Sequence, residues 1–237
     1  EDFLKLSHNF IVEQMYDKDE LNEDGKKYES SKDYIKQVKE FCKECIAKNG
    51  NIKQMYKYSK FGSKDKFGRI YVERFGIQSL QRKIRGFLNG GLNKDFDMIN
   101  AFPTITVWFM TKYFPNVSVT NLTKYVNRRD KLLKKYDVTK TEILSWSNRD
   151  FAYQGNNPLI KCLDKEFKEI HLTLWNDKEN PLCQSIDKTT INSTNKKGSF
   201  FSSVLRAIES DILQQAIKLY SRDVRTPYFD GFWADVK

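Results

Sequence analysis

Along the chain the apolar positions change their period several times, and each change marks the start of a new element. In SKDYIKQVKEFCKECIAKNG, Ile35, Val38, Phe41, Cys42 and Cys45 recur at helical spacing, which predicts a charged helix with one apolar stripe. Turn-forming runs at residues 22–25 and 48–51 interrupt this helical N-terminal region. Residues 69–73 alternate as a short strand, and SLQRKIRGFLNG, starting at Ser79, predicts a basic amphipathic helix that stops at Gly90-Gly91. Phe96, Met98 and Ile99 then read as a strand. Ala101-Phe-Pro103 turns that strand into an apolar helix ending near Phe114, with Pro103 in its first turn.

Farther on, Leu122, Tyr125, Val126, Leu132, Leu133, Ile143 and Leu144 form the inner face of one or two helices whose outer face is densely basic. Another helix is predicted over residues 159–175, followed by a polar connection over 176–197. The most regular stretch places Phe201, Val204, Leu205, Ile208, Leu213 and Ile217 on one helical face, with Ser199 as a candidate cap. In TPYFDGFWADV, an Asp-Gly dipeptide sits between aromatic strand pairs, the signature of a hairpin with Asp230 at its tight turn. This order predicts an α+β fold. Residues 1–65 form an N-terminal helical accessory region, residues 66–237 form the core, and a Gly- and Lys-containing loop over 60–68 marks the boundary.

Composition narrows the function. The 237 residues carry 39% hydrophobic side chains, enough for a packed core, and a net charge of +10 that attracts polyanions such as nucleic acid. Solvated lysine faces account for the same charge, so motifs must decide between the two. The absence of a long apolar run and of a signal-like N-terminus predicts a soluble intracellular protein, neither secreted nor in a membrane. An opening at Glu1, without Met, is expected of a piece of a longer polypeptide. Cys42 and Cys45 have the spacing of a zinc pair, but they share one apolar stripe and have no second close pair, which favours core packing. His8 and His171 are the only histidines, and neither sits in a triad or zinc-hydrolase pattern. No GxxxxGK[ST] or GxGxxG occurs, which excludes a P-loop or a dinucleotide fingerprint.

The candidate chemistry lies in the acids. Asp95 and Asp97 stand at period two on one strand and so project from a single sheet face, while Asp230 sits on the distant hairpin. Two-metal phosphoryl transfer needs carboxylates from separate segments to converge on ions roughly 4 Å apart. If the hairpin packs beside the first strand, Asp97 and Asp230 can share metals.

These residues resemble a known family. Asp97-Met-Ile-Asn-Ala-Phe-Pro-Thr104 looks like the polymerase A motif, and Tyr228-Phe-Asp-Gly231 is similar to the C motif. Lys140 with Tyr153-Gln-Gly155 looks like a loose B motif. With GRIY, SLQRKIR, LTKYVNRRDKLL and KKGSFFSSVLRAIESDIL, the string over roughly residues 55 to 237 resembles the family A-like DNA polymerases and primase-polymerases of virophages and related mobile elements, commonly fused to a superfamily 3 helicase. The resemblance implies a palm-like antiparallel sheet with a helical fingers-like insertion, acting inside a host cell, in its cytoplasm, a viral factory or the nucleus. Asp97 and Asp230 would bind two Mg²⁺ or Mn²⁺ ions. Because Gly follows the single acid of the C motif, Asp95 or Glu209 would supply any third carboxylate. Asn100, Phe102, Lys140, Arg128, Arg129 and Tyr153 would contact the incoming nucleoside triphosphate, with Phe102 against its sugar. Arg82, Lys83 and Arg85 would hold the DNA template and primer, and a linked helicase domain is an implied partner.

Two other readings stay open. In an archaeo-eukaryotic primase, Asp95-Phe-Asp97 would be the paired-acid motif and Asp230 the later acid, with a strand-borne histidine between them; His171 is the only candidate. A non-enzymatic module would grip single-stranded nucleic acid through its basic face and its aromatic residues, 14% of the chain.

Overall fold

A computed structural model of the protein describes residues 2–6, 26–49, 52–58, 69–89, 94–191, 194–220, 224–227 and 231–235. The architecture is α+β and rich in helix, and the chain divides into two compact units, each discontinuous in sequence.

The first unit takes Glu1–Lys57, Ile70–Phe96 and Tyr220–Lys237. Its helices are α1 (Asp2–Lys5), α2 (Lys26–Ala47) and α3 (Arg82–Asn89). The apolar stripe of α2, Ile35, Val38, Phe41 and Cys42, packs on Leu80 and Ile84, with Cys45 at the margin of the cluster. The Cys-x-x-Cys pair therefore belongs to a hydrophobic core, and burial pushes the Cys45 thiol up to about 11. Strands β1 (Tyr56–Tyr58) and β2 (Ile70–Val72) form a two-stranded sheet. The buried Gln78 side chain accepts from Val72 N at 2.7 Å and donates to Ile70 O at 3.0 Å. A side chain thus stands in for a neighbouring strand and satisfies backbone groups that would otherwise be orphaned.

The second sheet has three strands, β3 (Lys94–Asp97), β4 (Val224–Pro227) and β5 (Gly231–Ala234), in the order β3-β5-β4. β4 and β5 pair antiparallel, Thr226 facing Trp233 and Pro227 facing Phe232. β4 is an edge strand, where a proline removes no ladder bond that the sheet needs. All four residues of central β5 are buried, whereas all four of β3 are exposed. The Phe96 and Phe232 rings stack with centroids 5.3 Å apart. The strand expected to reach Ile99 ends at Asp97, because Asn100 adopts the left-handed conformation (φ 54°) and the chain turns there.

The second unit takes Tyr58–Arg69 and Asp97–Leu219. It contains α4 (Ala101–Tyr113), α5 (Thr120–Tyr136), α6 (Lys140–Ser147), α7 (Pro158–Asn176), α8 (Pro181–Ser185) and α9 (Lys196–Leu219) around one core that includes Phe109, Met110, Leu163, Ile170, Phe200 and Val204. Helix α9 begins at Lys196, ahead of the candidate cap Ser199. Its early N–H groups are met by a distant carboxylate instead: Lys197 N donates to Asp150 Oδ2 at 2.9 Å and Gly198 N to Asp150 Oδ1. Helix α5 is capped the same way. Its N-cap Val119 has no acceptor side chain, and Glu166 of α7 accepts from Asn121 N at 2.7 Å and Leu122 N at 2.8 Å. No described helix is long and apolar enough to cross a membrane.

Candidate functional site

Several acids of the second unit are fixed by the groups their oxygens touch. Glu166, 5% exposed, is consumed by the α5 cap, and Asp150 by the α9 cap. Asp164 accepts from Tyr153 N at 3.0 Å and from Lys168 Nζ at 2.8 Å, which fastens the loop after α6 to α7. Glu209, a candidate third carboxylate, is buried on α9 with Arg69 Nε donating to it at 2.7 Å. Asp95 and Asp97, by contrast, are exposed on β3. Asp230, with Tyr228 and Phe229, lies outside the described residues; Gly231, the next residue in the chain, begins β5, the sheet neighbour of β3. Among the described residues no group of three or more His, Cys, Asp or Glu side chains is arranged to hold a metal ion.

The residues expected around a nucleotide fall in four places within the second unit. Asn100, Arg128 and Arg129 line one open cleft of about 340 Å³, together with Ile99, Asn127 and Lys131. Phe102 is half-buried on α4, with the Arg69 guanidinium 5.7 Å from its ring centroid. Lys140 is the exposed first residue of α6, inside a capping box in which Thr139 N donates to Glu142 Oε2 at 2.7 Å and Glu142 N donates to Thr139 Oγ1 at 3.1 Å. A cation at a helix N-terminus opposes the macrodipole, so helix stability does not account for Lys140.

Tyr153 packs edge-on against Trp146 at 4.8 Å and also lies over Gly155, where a Cβ would come within 2.2 Å of the Tyr153 hydroxyl. Arg149 stacks its guanidinium on Trp146 at 4.5 Å and on the exposed Phe151 at 5.3 Å. Of the basic residues of α3, in the first unit, Lys83 is exposed and Arg85 Nη1 donates to Leu80 O at 3.4 Å. Arg82 opens that helix, and its side chain lies outside the description.

His171 is on helix α7, not on a strand, and is 1% exposed. Its Nε2 donates to Ser147 O at 2.9 Å, which fixes the tautomer, and Nδ1 lies 4.0 Å from Asp150 Oδ1. Burial, reinforced by the charge of Lys168, pushes its pKa down to about 4. This histidine holds helices together.

Two features were invisible as sequence. Helix α5 is broken at Arg128 (φ −136°, ψ 26°), although no Gly or Pro marks the break. Asn100, 7% exposed, carries both amide atoms buried without a hydrogen-bond partner among the described residues, as does the hydroxyl of Tyr125 on α5. An asparagine ahead of Ala-Phe-Pro was the only available signal for the first of these.

No protein-family model and no solved structure matches the chain. The V13 protein of Sputnik virophage, which carries the name of a helicase, is 35% identical over 186 residues, covering 69% of this chain and 24% of that protein. The chain is therefore distantly related to a virophage protein and spans about a quarter of the length of that relative.

Proposed function

We propose that this chain is the catalytic core of a two-metal nucleotidyl transferase, a DNA polymerase or primase-polymerase with a palm-like sheet, in which Asp97 and Asp230 hold Mg²⁺ or Mn²⁺. The supporting observation is the sheet order: β3, which ends in Asp97, is the neighbour of β5, which starts one residue after Asp230. The Phe96 and Phe232 rings, with centroids 5.3 Å apart, pack these two strands together. A hard cation keeps several waters when bound by one or two carboxylates, which suits acids on an exposed strand.

In this reading Asp97 and Asp230 would hold the ions, which would supply acidification of a primer hydroxyl and positive charge for the departing pyrophosphate. Nucleoside triphosphates and a DNA template with its primer are the substrates. The Sputnik relative is about four times the matched length and named as a helicase, whereas this chain has no GxxxxGK[ST]. That combination supports a second domain with the motor activity, joined to this one in a longer polypeptide.

The test uses purified protein, primed and unprimed templates, Mg²⁺, and dNTPs or rNTPs. Asp97→Asn and Asp230→Asn should each abolish extension while leaving oligonucleotide binding intact. Extension by either variant at the parent rate overturns the assignment. Tight metal-independent binding of single strands by a parent protein that never extends them identifies a nucleic-acid-binding module instead.

A further inference from the structure

The loop between α6 and α7 is fastened on both sides of an open aromatic ring. Lys168 Nζ donates to Arg149 O at 2.7 Å, and Asp150 N donates to Asn195 Oδ1 at 2.9 Å. Farther along, Tyr153 N donates to Asp164 Oδ2 at 3.0 Å and Asn157 Nδ2 to Tyr136 O at 2.8 Å. Phe151 lies between these ties and is 60% exposed. A loop held this firmly has given up conformational entropy, yet the large apolar side chain it carries returns little by burial.

The ring does not stand alone. Arg149 lays its guanidinium 4.5 Å from the Trp146 centroid and 5.3 Å from that of Phe151, and its Nη2 donates to Ser145 Oγ at 3.0 Å. Trp146 meets Phe151 edge-on at 5.7 Å and is backed by Tyr153. Tyr153 itself is occupied behind the cluster, where its hydroxyl accepts from Asn157 N at 3.4 Å and closes on Gly155. Among the described residues no carboxylate pairs with Arg149, and Asp150, its neighbour in the chain, is engaged in capping α9.

A lone exposed phenylalanine needs no explanation. A positioned guanidinium without a counter-charge, beside an open aromatic face, does. Together they offer a flat apolar surface next to a planar donor for an oxyanion. A chain that alternates flat rings with phosphates satisfies both at once, and a net charge of +10 draws such a chain in. An apolar protein surface docked here would leave the guanidinium charge unanswered. A free nucleotide needs walls that enclose most of its surface, whereas Phe151 stands open. In a duplex the base faces are already stacked on one another, which leaves the single strand.

We infer that Trp146, Arg149 and Phe151 form a stacking platform for single-stranded nucleic acid, an unpaired base lying on Phe151 while the Arg149 guanidinium meets an adjoining phosphate. The platform rests on the nucleic-acid side of the proposed function and calls on neither a metal nor Asp97 and Asp230.

The experiment measures fluorescence anisotropy of the full chain, without divalent metal and over a range of salt, with three probes. These are a labelled single strand of about ten nucleotides, a duplex of the same sequence, and a base-free sugar-phosphate strand of the same length. The variants are Phe151→Ala, Phe151→Leu, Arg149→Gln and, as a charge control on exposed α7 surface, Lys161→Gln.

Both Phe151 variants are expected to bind the single strand about tenfold more weakly, while matching the parent on the duplex and on the base-free strand, where the ring has nothing to stack on. Arg149→Gln is expected to flatten the slope of log affinity against log salt by about 0.7, the contribution of one phosphate on a single strand. Lys161→Gln should keep the parent slope. If Phe151→Ala fails to fold, Phe151→Leu decides. Parent-like affinity of Phe151→Leu for the single strand overturns the inference and leaves the cluster to a protein partner. Equal weakening of the Phe151 variants on the base-free strand also overturns it, as does a slope lost equally in Lys161→Gln and Arg149→Gln, or a parent that binds no oligonucleotide. The transferase reading is tested apart from this: the platform survives in a protein that binds strands and never extends them, and extension by a protein with parent-like Phe151 variants removes the platform alone.

Discussion

Acid acts on this fold through His171. The ring is 1% exposed, 4.7 Å from Phe201, and tied through Nε2 to the Ser147 carbonyl. A proton on Nδ1 would place a full charge where burial, first, and Lys168, second, both oppose it; the bond to Ser147 and the carboxylates of Asp150 and Asp164 only partly compensate. The folded pKa is accordingly about 4, against an ordinary value of 6.5. Between these two values the unfolded chain binds a proton that the folded protein refuses, so stability falls as pH drops through 6.5 and stops falling below about 4. At about 1.4 kcal/mol for each pH unit, this single site removes about 2 to 3 kcal/mol between pH 7.5 and 4.5, a large part of the stability of an ordinary domain.

Urea unfolding of the parent and of His171→Gln at several pH values isolates the effect, since every carboxylate contributes equally to both proteins. The variant should be less stable than the parent near neutral pH, and its stability should decline less on acidification, the two curves converging by about 2 to 3 kcal/mol. Parallel curves would refute the reasoning. So would a folded-state ring titration near 6.5 for His171, read by NMR against the only other histidine, His8.

The remaining stability predictions concern contacts made far along the chain. Glu166→Gln leaves one acceptor oxygen for three N–H donors, from Asn121 N, Asn121 Nδ2 and Leu122 N, and turns an NH₂ toward them; a loss of about 2–4 kcal/mol in urea unfolding is expected, and a loss below about 0.5 kcal/mol would remove the capping role. Gly198→Ala places a Cβ 2.0 Å from the backbone oxygen of Asn148, so one of the two segments must move. Alanine in a helix interior ordinarily stabilises by about 1 kcal/mol relative to glycine; here a loss of about 2–3 kcal/mol is expected by the same measurement, and a stabilised variant would contradict the close approach.

What could be read in the sequence was whatever depends on neighbours within one element. Helical spacing located α2, α4, α7 and α9, because the apolar face of each is written in its own residues. The aromatic pairs around Asp230-Gly231 located β4 and β5, and the Thr139 and Glu142 box is legible within four residues. The caps of α5 and α9 were not legible, since the acceptors Glu166 and Asp150 come from segments more than forty residues away and Val119 offers no local signal. The meeting of Asn100 with Arg128 and Lys131 was hidden for a related reason. It depends on a left-handed residue ending β3 early and on a break in α5 that its unbroken helical pattern conceals.

The same long-range capping bears on where chemistry can occur. A carboxylate whose lone pairs accept two or three N–H bonds in a buried setting has little capacity left for a cation, and withdrawing it would orphan those donors. Glu166, Asp150 and Asp164 are engaged in this way, and Glu209 is buried against Arg69, so these acids serve the frame of the second unit. Asp95 and Asp97 are exposed, at period two, on a strand hydrogen-bonded to the most deeply buried strand of the sheet. A rigid strand holding exposed acids is costly to justify by packing, since burial supplies none of its stability and Phe96 lies open at 42% except where it stacks on Phe232. Such a strand is suited to meet a hydrated divalent ion, and the transferase proposal rests on its place beside β5.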